Sequence, residues 1–220
     1  MLNKKKGTIE WEFPLTMAQK GRGTDPILND GKVIFGDDAG EIRAIDSKNK
    51  KTIWSFKAIS AITGAPAVYK NELIVASKLG LLNRLDLFTG QQKGVVTYDG
   101  LTGSPSIFQD CLLATDGRGI IWVSDLISGK KIWARRLDEQ LSTIPVTNGE
   151  SVFINSIGFG VFGLDFENGK DLWRTETSVM LSNPILMKGV LIVNLMPGKL
   201  LALDVKTGVI LDSFNHEGLS

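Results

Sequence analysis

Five aspartates recur along this chain at nearly constant intervals, and they are the first candidates for acid–base or metal chemistry. Asp46, Asp86, Asp125, Asp165 and Asp204 follow one another in steps of 40, 39, 40 and 39 residues. Each lies at the start of a polar turn, where a carboxylate accepts hydrogen bonds from backbone N–H groups. The spacing therefore predicts five structural turns, one in each repeat, and no catalytic carboxylate.

The other reactive side chains form no catalytic or metal-binding set. His216, the single histidine, lies beyond the last repeat, so a histidine triad or metal site has no partner for it. Cys111, the single cysteine, excludes an internal disulfide, and its apolar run CLLAT predicts a buried, inert thiol. We therefore expect a protein that is not an enzyme, with no cofactor and no metal ion.

Two short motifs look like ligand-binding loops but carry weak signals. Asp37-Asp38 in GDDAG is one acidic pair without further oxygen ligands at fixed spacing, which favours a solvated loop over a cation site. The segment ATDGRG joins two predicted strands, and no helix follows whose N-terminus would hold a phosphate. Neither motif predicts a site.

Charge and hydropathy exclude several classes of partner. The 25 basic and 24 acidic residues nearly cancel, so no global field draws the chain to nucleic acid. No run approaches the roughly 18 consecutive apolar residues of a membrane span. The start MLNKKKGTIEWEF lacks the apolar stretch of an export signal, so we expect a cytoplasmic location, or a periplasmic one if a leader was removed.

Further markers repeat in phase with the aspartates. Prolines recur with the same steps, at Pro26, Pro66, Pro105, Pro145 and Pro184. Eight residues after the aspartate, a tryptophan is kept in three repeats, as Trp54, Trp133 and Trp173. Gly94 and Asp212 replace it in the other two. Markers that share one period indicate a true internal repeat.

Each repeat reads as four short strands. Apolar runs such as KVIFG alternate with polar turns such as Asn29-Asp30-Gly31, and no segment is long enough for a helix with 3.6-residue periodicity. Four strands in a period near 40 predict an all-β fold, a β-propeller of four-stranded antiparallel blades in one domain spanning 1–220. The predicted repeats are 24–58, 64–98, 103–137, 143–177 and 182–215.

The pattern A-x-D-x-x-T-G-x-x-x-W resembles the repeat of the pyrroloquinoline-quinone-type β-propellers. These occur in quinoprotein alcohol dehydrogenases, in the propeller lipoprotein of the bacterial barrel-assembly machinery and in sensor regions of bacterial kinases. Ala44-Ile45-Asp46 through Trp54 fit the pattern well, while Arg84 and Val123 depart from its small residue. The resemblance implies the fold and a bacterial repeat protein, and it is nearly silent on activity because the same blade serves enzymes and scaffolds.

Two arrangements of the blades follow from the repeat count. In the first, five blades form a ring that the strand 7–14 closes, with Trp11 docking as Trp54, Trp133 and Trp173 do. In the second, the ring is incomplete, since the family more often uses seven or eight blades, and another chain or a second copy completes it. In both arrangements, the indole rings of these tryptophans pack as wedges between adjacent blades and hold the blades together.

The leading functional hypothesis is a protein-binding scaffold in a bacterial multi-protein assembly or regulatory complex. Loops between the second and third strands share a face with the linkers between blades, and apolar residues there are expected to face water as anchors. The predicted partner-binding residues are Phe159, Leu195, Met196, Arg118, Lys78 and Asp37.

Two alternatives belong to other classes of function. A small ligand such as a sugar would occupy the central channel, lined by the residues that precede the repeated prolines. These are Asp25, Ala65, Ser104, Ile144 and Asn183. A remnant of a quinone-dependent dehydrogenase is the third hypothesis, although the quinoprotein enzymes are larger and carry calcium ligands and often paired cysteines.

Overall fold

Five antiparallel sheets of four strands each make up the described fold. The computed structural model describes residues 23–98, 101–116, 118–137, 141, 143–156, 160–177, 182–195 and 198–215, with 101–103 described by their backbone alone. In every sheet the four strands pair in chain order. The predicted β-propeller architecture is therefore confirmed, with one blade for each stretch that carries the repeated aspartate.

The strands of each blade have the following bounds. Blade 1 contains β1 (Ile27–Asn29), β2 (Lys32–Gly36), β3 (Glu41–Asp46) and β4 (Thr52–Lys57). Blade 2 contains β5 (Ala67–Tyr69), β6 (Glu72–Ala76), β7 (Leu81–Asp86) and β8 (Gln92–Thr97). Blade 3 contains β9 (Leu101–Phe108), β10 (Cys111–Asp116), β11 (Ile120–Asp125) and β12 (Lys131–Arg136). Blade 4 contains β13 (Val146–Thr147), β14 (Ser151–Ser156), β15 (Gly160–Asp165) and β16 (Asp171–Thr175). Blade 5 contains β17 (Ile185–Met187), β18 (Val190–Leu195), β19 (Lys199–Asp204) and β20 (Ile210–Asn215).

The repeated aspartate builds the turn between the third and fourth strands. Asp46 Oδ1 accepts hydrogen bonds from the N–H groups of Lys48 (2.8 Å) and Asn49 (3.0 Å). The hydrogen bonds from the backbone N–H groups of Asn49 and Lys48 lower the pKa of the Asp46 carboxyl. Asp86, Asp125, Asp165 and Asp204 accept equivalent bonds. In each blade the aspartate therefore accepts hydrogen bonds from the backbone of its own turn.

The residue that ends this turn has positive φ in every blade. It is Lys50 in blade 1, with φ 65°, and a glycine in the other four, with φ between 71° and 73°. Glycine adopts this conformation without the steric cost that a side chain brings. The turn therefore presents bare backbone to the neighbouring blade at four of the five positions.

Three of the tryptophans predicted to dock between blades contact the following blade. The indole N–H groups of Trp54, Trp133 and Trp173 each donate to a backbone carbonyl of the next blade, at 3.2, 2.8 and 2.9 Å. Each ring lies against the turn glycine of that blade; a Cβ built on Gly90 would lie 2.6 Å from Trp54 Cε3. The glycine therefore provides the flat surface on which the indole packs.

The second blade lacks this tryptophan, and other aromatic groups fill its junction with the third. Tyr98 and Trp122 stack with ring centroids 6.2 Å apart, and Ser124 Oγ lies 3.1 Å from the Tyr98 hydroxyl. Burial raises the pKa of Tyr98. Val96 packs on the turn at Gly129, where an added Cβ would collide with Val96 Cγ1. The junction is therefore buried without an indole wedge.

Apolar clusters join blades 1 and 2, blades 2 and 3, blades 3 and 4, and blades 4 and 5. No cluster within the described residues joins blade 5 to blade 1. The predicted closing strand 7–14 and its Trp11 lie outside the described residues, so closure by that strand stays a prediction. Among the residues that the structure covers, no helix has the length and apolar character needed to cross a membrane.

Replacing the turn glycine beneath an indole tests the wedge. We expect Gly90→Ala to lower the free energy of unfolding by about 2–4 kcal/mol, because it adds a clash with Trp54 to the strain of positive φ. Gly189→Ala is the matched control, with φ 79° and nothing within 4 Å of an added Cβ, and is expected to cost about 1 kcal/mol. Urea unfolding measures the stability of both variants. Equal losses of stability would contradict the packing of the Trp54 indole on Gly90.

The turn aspartates predict a loss of stability in acid. The side chain of Lys93 and the N–H of Thr89 hold the pKa of Asp86 below its ordinary value of 3.8. The folded state is therefore stabilised above the unfolded pKa, and this contribution is lost as pH falls through the folded pKa. We expect Asp86→Asn to be less stable than wild type near neutral pH and to converge with it below pH 3.8. Asp30→Asn, at an exposed turn, is the control in urea melts; a gap for Asp86→Asn that persists in acid would disprove the linkage.

Candidate functional site

One end of the blades carries both the interblade linkers and the loops between second and third strands. Isolated bridges pair Gly23 with Asp37, Ile62 with Ser77, and Leu141 with Ser156. Each bridge joins a residue from a segment that enters a blade to the end of that blade's second strand. We call this end the loop face, and it is the face that the sequence predicted for partner binding.

The linker between blades 1 and 2 is fixed to both blades by backbone hydrogen bonds. The N–H groups of Ala58 and Ile62 donate to carbonyls of blade 1, and the N–H of Lys78 in blade 2 donates to the linker. The pairs are Ala58 to Gly40 (2.8 Å), Ile62 to Asp37 (3.0 Å) and Lys78 to Ala61 (2.8 Å). Because its backbone is tied at several points, this linker presents its side chains in a defined arrangement.

Two large apolar side chains project from this ordered region. Ile59 in the linker is 86% exposed, and Leu79 in the loop between β6 and β7 is 63% exposed. The N–H of Leu79 donates to Ser60 Oγ at 3.3 Å, which places the two segments side by side. We call Ile59 and Leu79 the apolar pair. Sequence reasoning did not select them, although each is an apolar residue within a predicted loop-face segment.

The prediction for Leu195 was wrong. Sequence analysis placed it in a loop facing water, but it is the last residue of β18, pairs with Lys199 and is only 5% exposed. It belongs to the apolar cluster between blades 4 and 5, together with Trp173 and Leu201. The strand runs one residue further than predicted, and alternation turns Leu195 inward. Phe159 and Met196 lie outside the described residues.

The three predicted polar residues differ in their surroundings. Lys78 is exposed. Arg118 is largely exposed, and its Nε lies 3.1 Å from Oδ2 of the buried Asp116. Asp37 is half-buried, and its Oδ1 accepts the N–H of Glu41 at 2.8 Å. The Asp37 side chain therefore stabilises its own loop, whereas the side chains of Lys78 and Arg118 project outward from their loops.

Four of the five residues proposed to line the central channel make hydrogen bonds between adjacent blades. Ser104 Oγ accepts the N–H of Ala65 at 2.9 Å, and Asn183 Oδ1 accepts the N–H of Ile144 at 2.8 Å. These polar atoms are therefore already engaged in the fold. Asp25, the fifth of these residues, is exposed.

Among the described residues, open polar clefts lie at the end opposite the loop face. The cleft of about 320 Å³ is lined by Lys70, Glu72, Lys93 and Asp110, among others. Hydrogen bonds from the Tyr69 hydroxyl and from Lys70 Nζ lower the pKa of Asp110. Another, of about 450 Å³, lies around Asp30 and Lys48. These clefts offer ion pairs but no nucleophile paired with a base.

Potential metal ligands and thiols give little further chemistry. Within the described ranges, no group of three or more His, Cys, Asp or Glu side chains is placed to hold a metal ion. Cys111 is half-buried, and burial raises the pKa of its thiol. A raised pKa leaves less thiolate near neutral pH, as expected for an unreactive cysteine.

Leu195 and Leu79 allow a direct test of which leucine is structural. We expect Leu195→Ala to lower the free energy of unfolding by about 2–4 kcal/mol, because it empties part of a packed cluster. Leu79→Ala is the matched control and is expected to change stability by less than about 0.5 kcal/mol, because its side chain is mostly in water. Urea unfolding distinguishes them; similar losses for both would refute the burial difference.

Comparisons with known proteins agree with this architecture. The profile of a protein family described as outer membrane protein assembly factor BamB matches residues 1–103 and 92–215. A search of curated proteins found no match. The predicted resemblance to quinoprotein-type propeller repeats is confirmed by the family profile and by solved structures.

Three solved structures that share the fold are much longer chains. BamB from Moraxella catarrhalis is 19% identical, with a TM-score of 0.67 over 84% of this chain and 58% of that one. The computationally designed Ika8 protein is 16% identical, with a TM-score of 0.75 over 88% and 62%. Quinohemoprotein alcohol dehydrogenase from Comamonas testosteroni is 14% identical, with a TM-score of 0.66 over 89% and 43%. At these identities the likeness establishes the fold alone.

Proposed function

Because the chain belongs to the family of outer membrane protein assembly factor BamB, we propose that it is a non-enzymatic propeller module that binds a protein partner through its loop face. The family match supports a protein-interaction propeller in general. We assign the partner to a bacterial multi-protein assembly, in keeping with the assembly factor named in the family description. The particular face is argued from the geometry of this chain.

The apolar pair carries the proposal. Ile59 and Leu79 expose aliphatic surface from segments that backbone hydrogen bonds hold in place. A side chain on an ordered backbone loses little conformational entropy when a partner covers it. Apolar anchors of this kind, once desolvated by a partner, account for much of the binding energy in protein interfaces.

Charged side chains on the same face favour a partner with acidic groups at its rim. Lys78 directly precedes Leu79, and Arg118 in blade 3 occupies the loop position equivalent to that of Leu79. Exposed charges at an interface rim mainly affect the rate of association and its salt dependence. The apolar pair thus supplies affinity, and the basic residues supply orientation.

The chemistry of the loop face favours binding over catalysis. The fold alone does not decide, since the propeller also occurs in the quinohemoprotein alcohol dehydrogenase. The described loop-face segments at 37–40, 58–63 and 77–80 carry aliphatic, small and charged residues and contain no histidine or cysteine. Such a surface suits complementarity to another protein.

Acidic substitutions in the apolar pair test the proposal. We expect Ile59→Asp and Leu79→Asp to weaken partner capture by about 30-fold or more each, because a buried carboxylate replaces an aliphatic anchor. Ile132→Asp, at a 52% exposed residue of β12 on a blade's outer strand, is the matched control and should capture partners normally. Tagged proteins are used for affinity capture from bacterial lysate with mass spectrometry.

Urea unfolding of each variant separates lost binding from lost folding. All three positions are exposed, so the unfolding midpoints should stay near that of wild type. Undiminished capture by the Ile59→Asp, Leu79→Asp double variant, with its fold intact, would rule out the loop face as the binding surface.

A further inference from the structure

The linker between blades 1 and 2 rests on two glycines of blade 1. We infer that Gly36 and Gly40 are positioning residues for the apolar pair, because their missing side chains let the linker lie directly on the blade. The effect on partner binding rests on the proposed function, whereas the seating of the linker concerns this chain alone. We call Gly36 and Gly40 the glycine seat.

Gly40, in the loop between β2 and β3, lies against the backbone of the linker. A Cβ built on Gly40 would lie 2.6 Å from the carbonyl oxygen of Ser60 and 3.2 Å from that of Ala58. Both are backbone atoms, so neither can rotate away as the end of a side chain does. Gly40 has φ 84°, which glycine adopts without steric cost, and its carbonyl accepts the N–H of Ala58. The close approach of loop and linker therefore requires glycine here.

Gly36, the last residue of β2, receives a side chain of the linker. A Cβ at Gly36 would lie 2.8 Å from Cγ2 and 2.9 Å from Cβ of Ile62. Ile62 is 5% exposed and belongs to the apolar cluster between blades 1 and 2, and its N–H donates to the carbonyl of Asp37. The burial of Ile62 therefore depends on the space that Gly36 leaves.

The two seated residues of the linker determine which way its exposed residue points. Ala58 and Ile62 both belong to the buried cluster between blades 1 and 2. Ile59 directly follows Ala58 and projects into water. Because the backbone is held on Gly40 at one end and on Gly36 at the other, the direction of the Ile59 side chain is set by the seat.

The seat also acts on Leu79, through hydrogen bonds between the linker and blade 2. Ser60 Oγ accepts the N–H of Leu79, and the carbonyl of Ala61 accepts the N–H of Lys78. A linker displaced from blade 1 would break these bonds or draw the loop between β6 and β7 with it. Both members of the apolar pair therefore depend on the same two glycines.

The seat affects binding through the entropy of the anchors. Side chains on an ordered backbone lose less conformational freedom when a partner covers them than side chains on a mobile backbone. With the linker off its seat, Ile59 and Leu79 would have to be ordered at the moment of binding. We therefore expect the seated linker to bind a partner about tenfold more tightly than an unseated one.

Gly36→Ala tests the seat without adding backbone strain, because the φ of Gly36 is not positive. Hydrogen exchange is followed by NMR on the full 24.0 kDa chain. The amide hydrogens of Ile62, Lys78 and Leu79 should exchange about tenfold faster than in wild type, since the added Cβ displaces the linker. Gly94→Ala is the matched control, with no positive φ and the nearest atom 3.8 Å from the added Cβ, and should keep these rates within about twofold.

A double-mutant cycle separates seating from a general loss of stability. Ile62→Ala removes Cγ1 and Cγ2, two of the three Ile62 atoms that the added Cβ would meet at 3.0 Å or less. In that background, Gly36→Ala should therefore speed exchange at Lys78 and Leu79 by about threefold or less. Equal acceleration in both backgrounds, or none in either, would overturn the inference.

Ser60→Ala is a milder variant that keeps the seat and removes one acceptor. It should speed exchange of the Leu79 amide and leave that of Ile62 unchanged, because only the bond from Leu79 to Ser60 is lost. An unchanged rate at Leu79 would show that the linker does not hold the loop of blade 2, and the inference would fail for that residue.

Affinity capture from bacterial lysate then connects the seat to binding. The proteins counted are those that wild type captures and the Ile59→Asp, Leu79→Asp double variant does not. We expect Gly36→Ala to capture about tenfold less of them and Gly94→Ala to capture as much as wild type. Undiminished capture by Gly36→Ala, with its exchange accelerated, would overturn the positioning role and leave the proposed function standing. Undiminished capture by the double variant would instead reject the proposed function, and the positioning role with it.

Discussion

The packing of an indole on a bare backbone turn is the contact on which the blade array depends. Trp54, Trp133 and Trp173 each bridge to the following blade by one hydrogen bond and by ring contact with a glycine. That glycine exists because the turn needs positive φ, and the turn is held by an aspartate that binds backbone N–H groups. One short motif therefore shapes a blade and fixes its neighbour.

Not every blade of the chain carries this contact between an indole and a glycine. Between blades 2 and 3, Tyr98 and Trp122 fill the space of a missing tryptophan, so burial is kept with different side chains. In blade 5, Asp212 takes the position of the tryptophan, and in blade 1, Lys50 takes the position of the turn glycine.

The loop face has the geometry on which the proposed partner binding depends. The linker between blades 1 and 2 is tied to both, so Ile59 and Leu79 are held out to solvent on ordered backbone. Exposed aliphatic groups usually cost little in a fold when they are scattered, but two on adjacent, fixed segments form a surface that a partner can cover. Blade packing thus uses buried side chains, whereas the partner binding that we propose uses exposed side chains of the loop face.

The sequence by itself determined the repeat, the five four-stranded sheets, the aspartate turns and three tryptophan wedges, because each of these depends on residues within one or two repeat lengths. It misplaced Leu195 and missed Ile59 and Leu79. Whether a side chain near a strand end faces core or water depends on the pairing register and on how the neighbouring blade covers it. Leu195 turns inward because β18 continues to pair with Lys199, and Ile59 turns outward because hydrogen bonds to two blades fix its linker. Such outcomes are set by the register of strand pairing and by packing between blades, and only the tertiary structure decided them.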